Sequence, residues 1–459
     1  MKRVSFIILP LFFLFIIPIH AVQAFSLGSF FKPKQAKKEN TNGTEEIKLL
    51  SKKFDLAMVK GMEYYTIGKF QNSIKVFDLV DKGYNRKKSK ENVVSKILTN
   101  ALEVAANDCV FPYIPWMYER IMVNTMKAVD YMLSGDFDHT RIEFNRALVR
   151  ELKAEEEFRK EIERQLQEIK KEAEKGKKNN KSVYNEESLK KTFSFIEKYY
   201  SNLGEFKAYS GFLNPFTDYI AGIYFLNQGD VNKATNLLKR CYGMVKDSEP
   251  ASKLVKQDFY LAFKTKSSLR KKNKHFVWIV FLNGEIGRRV EKRIDIPLFI
   301  FTHKVMYTGL ALPDIKDGKI SFPYLEYRVG NQRGKTLRLV DFDRLEKTEF
   351  KKRLQAIAFR AIVRAMLFTI AQDKTGTFGA TLIGGYHFLM NHADTRQWRN
   401  MPKEVQIARI RMPVRKNTIS IFKPGGELIK TFKINPNKNV IVFVNAIAKD
   451  EVTVHKIEI

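Results

Sequence analysis

From about residue 58 to residue 272 apolar positions recur every three or four residues, the period of one face of a helix. From His275 onward they gather instead into short runs of β-formers separated by turn residues. Within the helical region a single pattern comes back three times. In "MVKGMEYYTIGKFQNSIKVFDLVDKG" (58–83), Gly61 gives room for two helices to approach and Tyr64 follows one turn later. Gly68 and Phe70 mark a turn, and Ser73, Phe77 and Val80 form the stripe of a second helix. Residues 126–149 place Ala128, Tyr131, Gly135, Phe137, Thr140, Phe144 and Ala147 at the corresponding positions. Residues 220–243 do so with Gly222, Phe225, Gly229, Val231, Ala234, Leu238 and Cys241.

A small residue, an aromatic and a turn glycine at fixed offsets are the grammar of tetratricopeptide repeats, whose period is about 34 residues. Gly68 and Gly135 are 67 residues apart, two periods, so a degenerate helix pair is expected between them. Gly135 and Gly229 are 94 apart, too far for contiguous repeats. The excess carries Phe158, Ile162, Leu166, Ile169 and Ala173, then Leu189, Phe193, Ile196, Tyr200 and Leu203, two narrow apolar stripes on charged helices. Joined by the polar turn at 176–182, they read as an antiparallel hairpin projecting from the array. A closing helix follows Pro250, and "SSLRKKNKH" marks a boundary.

Beyond it, "HFVWIVFLNGEI" and "RRVEKRIDIPLFI" read as a β-hairpin about Asn283-Gly284. Further strands are expected near 305–312, 321–329, 335–340, 417–423, 427–433, 439–446 and 451–458. Between them come a helix over 343–372 and a glycine-rich apolar helix over 375–390. The predicted fold is therefore multidomain: an all-α tetratricopeptide-like repeat array with an inserted antiparallel helical hairpin, followed by an α+β C-terminal domain. The boundaries are 1–24 signal peptide, 25–46 flexible spacer, 47–150 repeats, 151–210 charged hairpin, 211–272 repeat and closing helix, and 273–459 α+β domain.

Composition narrows the setting. The 459 residues are 44% hydrophobic, enough for more than one core, and the formal charge is +31. Such a charge attracts polyanions without choosing among them. Lys2 and Arg3 precede a charge-free apolar run, and Val22 and Ala24 have the spacing that a signal peptidase reads. Export to the periplasm or envelope is expected, with an uncleaved N-terminal membrane anchor as the alternative. Nucleic acid is then excluded as a partner, leaving anionic lipid or glycan. Cys109 and Cys241 both lie in apolar helical stretches, where cysteine serves as a small core residue, and a disulfide between them, which an oxidising compartment permits, is the alternative.

Neither a cofactor nor a metal site is expected, because seven scattered histidines and two distant cysteines give no ligand cluster, and no phosphate loop or nucleophile elbow occurs. The densest chemistry is "NHADTRQWRNMP" (391–402). As an active site, His392 would be a base, Asp394 its orienter, and Arg396 or Arg399 an anion holder. As structure, Asp394 would cap a turn and pair with Arg396 or Arg364, with Trp398 an apolar plug. In "AIAFRAIVRAMLFTIAQ" the only charges are Arg360 and Arg364, one turn apart.

The phrases "YERIMVNTMKAVDYMLSGDFDHTRIEFNRA", "NPFTDYIAGIYFLNQGD", "ADTRQW" and "ARIRMP" resemble a family of tetratricopeptide-containing envelope proteins and lipoproteins of Gram-negative bacteria. The resemblance covers about residues 50–459 and implies a role in cell-envelope or peptidoglycan maintenance. Unlike many relatives, this chain has no lipobox cysteine after its signal. The expected function is a non-enzymatic exported scaffold or adaptor that binds protein partners through its repeats. The alternative is an envelope hydrolase or transferase using His392, Asp394 and Arg396.

Overall fold

The computed structural model describes residues 50–94, 113–179, 186–204, 209, 211–267, 275–297, 307–374, 392–412, 418–447 and 451–459. The segments read as signal, spacer and glycine-rich helix lie outside these residues, as does Cys109.

Helices α1 (Phe54–Thr66) and α2 (Phe70–Val94), α3 (Met117–Leu133) and α4 (Phe137–Asn179), and α6 (Pro215–Asn227) and α7 (Val231–Val245) pair as hairpins. Each first helix ends at a glycine with φ near +80°: Gly68, Gly135 and Gly229. At that glycine a Schellman pair of hydrogen bonds closes the turn, as in Gly68 N to Tyr65 O (3.0 Å) and Lys69 N to Tyr64 O (2.8 Å). Inside the hairpins a large side chain fills the space left by a small one. A Cβ on Gly61 would stand 2.7 Å from the Phe77 ring, and one on Gly222 would stand 2.8 Å from Leu238. Ala128, Phe144 and Phe225 are fully buried, whereas Tyr64 lies beneath Lys60 and Tyr131 stacks on His139. Cys241 is buried, its thiol directed at Pro215 O.

These hairpins do not build the predicted tetratricopeptide array with a core of its own. Among the described residues nine helices and eleven strands are interleaved, and the helices close their core against a sheet. Strands β11 (Val452–Glu458), β10 (Val440–Ala446), β1 (Phe276–Asn283), β7 (Glu404–Arg411) and β6 (Leu337–Asp341) lie in that order, with β1 and β10 parallel and the other pairs antiparallel. Trp278, Val280 and Leu282 of β1 join the helical core, together with Ile441 and Phe443 of β10. The alternate residues Val277, Ile279 and Phe281 face a second sheet of β5 (Gln332–Lys335), β4 (Glu326–Val329), β8 (Thr418–Phe422) and β9 (Leu428–Lys433). Both faces of β1 are therefore covered, which is why its sequence is apolar without alternation. Polar contacts stitch the same boundary: Asn400 Nδ2 donates to Val59 O at 2.9 Å, and Asn445 Nδ2 to Thr66 Oγ1 at 2.7 Å.

The inserted hairpin is corrected as well. Helix α4 runs unbroken for 43 residues from the second hairpin into the charged stretch. Helix α5 (Glu186–Lys198) packs with α4, with the ribbon β2 (Arg288–Pro297)–β3 (Tyr307–Lys316) and with α9 (Phe342–Lys374) around Leu189, Ile196, Ile294, Leu312, Phe350 and Ile362. Helix α8 (Ser252–Ser267) packs beside α7. The predicted β1–β2 hairpin is absent, since the two strands belong to different sheets. Gly284, at φ +69°, passes the chain between them so closely that a Cβ would stand 2.0 Å from Lys319 O. No helix among the described residues is long and apolar enough to cross a membrane.

Candidate anion-binding cavity

Where α3 begins, its backbone donors meet carboxylates. Glu119 Oε2 accepts from Trp116 N at 2.7 Å, as a capping residue three positions into a helix should. Glu349, on α9, accepts from Met117 N at 3.0 Å and Tyr118 N at 3.1 Å, so a distant helix supplies the anion that the helix dipole favours. Arg353 holds Glu349 through Nη2 at 2.7 Å and reaches Glu161 of α4 through Nη1 at 2.7 Å. Arg289 of β2 donates to Glu346 Oε1 at 2.9 Å and to Tyr118 Oη at 3.0 Å, with its guanidinium 3.4 Å from the centre of the Trp116 ring. Glu119, Glu346, Glu349, Arg289 and Arg353 are buried and Glu161 is partly so. Arg289 pairs with Glu346, Arg353 with Glu349 and Glu161, and Glu119 is held by the Tyr113 hydroxyl and two backbone N–H groups, the conditions under which charge is tolerated inside a protein.

This network sets the protonation of its members. Burial raises Glu161, but Arg353 and Arg120 outweigh it and hold the carboxyl down at about 2. Burial dominates at Glu346 and lifts it to about 7 against the pull of Arg289. Glu119 is also raised by burial, again opposed by Arg289.

Above the network opens a cavity of about 270 Å³. Among the described residues six arginines line it: Arg164 of α4, Arg289 of β2, Arg353, Arg360 and Arg364 of α9, and Arg396. Glu161, Glu168 and Asp394 are the carboxylates among the described lining residues, and Ala311, Leu312 and Pro313 of β3 add an apolar stretch. Arg289, Arg353 and Arg364 are buried.

Of the cluster picked out in the sequence, His392, Asp394 and Arg396 reach this cavity, whereas Trp398 and Arg399 do not line it. Asp394 grips Arg396 with both oxygens, at 2.8 Å to Nε and 2.8 Å to Nη2. His392 Nδ1 is 3.2 Å from Glu291 Oε2, which also accepts from Ala393 N. Histidine and aspartate are thus each engaged elsewhere and do not form a dyad. Trp398 is a core residue: its backbone N–H donates to Glu119 Oε1 at 2.8 Å and its ring lies 5.3 Å from that of Phe77. Arg399 is exposed. Sequence reasoning missed Arg164, Arg289 and Arg353, which come from three distant segments. Nothing in the sequence sets these three apart from the charges around them, whereas Arg360 and Arg364 stand out as cations interrupting an apolar run.

Comparison of the chain with protein-family models, with curated proteins and with solved structures finds no match. The resemblance to envelope proteins rests on its sequence phrases alone.

Proposed function

We propose that this chain is a binding protein of the cell envelope whose working site is the arginine-lined cavity, and that it acts by holding an anionic ligand. The observation that carries the reading is the convergence of six arginines from four separate segments on one concavity of about 270 Å³, slightly below the roughly 300–1,000 Å³ of sites for drug-sized ligands. Arginine forks match oxyanions, and low surrounding polarity strengthens their grip. The apolar N-terminal run and the family resemblance support the envelope setting. A hydrolase or transferase built on His392, Asp394 and Arg396 has less support, because Asp394 orients Arg396 and Glu291 orients His392.

Calorimetric titration of the whole chain with sulfate, phosphate and citrate at fixed ionic strength tests the reading. Saturable binding of at least one anion is expected, reduced by Arg360→Ala while the unfolding midpoint holds. No binding above background, or binding indifferent to Arg360→Ala, sinks the proposal.

A further inference from the structure

Among the described residues the lysine and arginine cations that line the cavity are of one kind. The chain has 56 lysines and 25 arginines, yet no lysine occurs among the described lining residues, and six arginines do. Lysine would supply the same charge as a compact ammonium. What it lacks is the planar fork that grips two oxygens at once. On the wall where α4 lies against α9 three such forks come from two helices: Arg164 from α4, and Arg360 and Arg364, one turn apart, from α9. Glu161 and Glu168, three residues before and four after Arg164, are the α4 carboxylates among the described lining residues, and an oxygen of Glu168 lies 3.9 Å from Arg164 Nη1. Arg353, Arg289 and Arg396 are clamped from behind by Glu349, Glu346 and Asp394, which fixes the direction of their forks.

The geometry selects among anions. A carboxylate offers two coplanar oxygens, which one fork satisfies. A phosphate monoester offers three terminal oxygens in a tetrahedral array, so forks arriving from different helices can engage it together. The β3 stretch Ala311–Pro313 gives the same cavity an apolar surface that a bare inorganic ion would leave unused. We propose that the cavity binds a phosphoryl group carried on an organic moiety. Arg164, Arg360 and Arg364 take the terminal oxygens, and the organic moiety lies along β3. This assignment rests on the anion-binding reading above and adds the ligand class.

The test is titration of the full chain with glycerol 3-phosphate and with citrate at equal ionic strength, alongside flotation with phosphatidylcholine vesicles with and without phosphatidic acid. Arg164→Lys and Arg364→Lys keep the charge and remove the fork. Arg164 is partly exposed, so its variant remains informative if the buried Arg364→Lys fails to fold. A phosphoryl ligand is expected to bind more tightly than citrate, and each folded lysine variant to weaken it about tenfold or more. Binding of glycerol 3-phosphate assigns a soluble ester. Capture only by phosphatidic acid vesicles, sensitive to the same variants, assigns a lipid headgroup, and either result supports the phosphoryl class. Citrate binding as tightly as the phosphoryl probes, or lysine variants binding as well as the native chain, overturns the class but leaves anion binding in place. Silence from every probe overturns both.

Discussion

Burial pushes Glu161 and Glu346 toward their neutral forms; guanidiniums reverse the push at Glu161, whereas at Glu346 burial prevails over Arg289. Two guanidiniums hold Glu161 at about 2, below its ordinary 4.5. Its contribution to stability is therefore complete above about pH 4.5 and is lost only as pH falls through about 2. Glu346 stands at about 7, above the ordinary 4.5, with one oxygen, Oε2, lacking a hydrogen-bond partner. Its contribution has the reverse sign: fully present below about pH 4.5 and lost as pH rises through about 7. The urea midpoint of the native chain should thus gain a component on going from pH 7.5 to pH 5 that Glu346→Gln lacks. Parallel pH profiles for the two proteins would contradict the assignment. Removing Glu161 has a different consequence, since Arg353 and Arg120 lose a shared counter-charge. Glu161→Ala should cost about 3–5 kcal/mol in equilibrium unfolding at pH 7, and a loss below about 1 kcal/mol would show that Glu349 alone suffices for Arg353.

At the scale of elements, the hairpins separate two uses of glycine. Gly135 at φ +80° has nothing within 4 Å of where its Cβ would stand, so Gly135→Ala tests backbone conformation alone. A loss of about 1–2 kcal/mol is expected, smaller for Gly135→Asn, which tolerates the left-handed region. Gly61 has ordinary helical backbone, and its substitution instead drives a methyl into Phe77, costing about 1–3 kcal/mol by overpacking. Because Phe77 packs on Trp398, Gly61→Ala should also change tryptophan fluorescence, which Gly135→Ala should leave alone. Both glycines were legible because their signals are local: a turn, and a small residue 16 positions before a large one. The β1–β2 connection was misread for the same reason. Asn-Gly signals a tight turn, but the partner that the turn presents to each strand is set by Lys319, more than 30 residues on. The candidate site was legible only where its residues are contiguous. His392, Asp394 and Arg396 stood out, whereas Arg164 and Arg353, read alone, are indistinguishable from the solvated face of a charged helix.

At the scale of the whole molecule, the decisive fact is that the helical hairpins share their main core with the five-stranded sheet, whose other face packs on the second sheet. Periodicity reports that a helix has an apolar face and says nothing about what covers it. Repeat arrays cover that face with the next repeat, and here the five-stranded sheet does so. The consequence is testable by cutting the chain at the boundary that the sequence suggested. A fragment of residues 47–272 would expose the surfaces of Met62, Phe77, Tyr219 and Phe225 that share a cluster with Trp278, Trp398 and Phe443. It would also leave Glu119 without the Trp398 N–H, and Asp258 without Arg409, each carboxylate being buried. Losses of apolar cover and of buried charge partners act together, so the fragment should lack a cooperative urea transition even if its far-ultraviolet circular dichroism keeps helical character. Adding the complementary fragment 273–459 should restore cooperativity, because the missing contacts lie between the two pieces. A fragment 47–272 that unfolds cooperatively by itself would show that the helices carry an independent core, and the shared-core account would then fail.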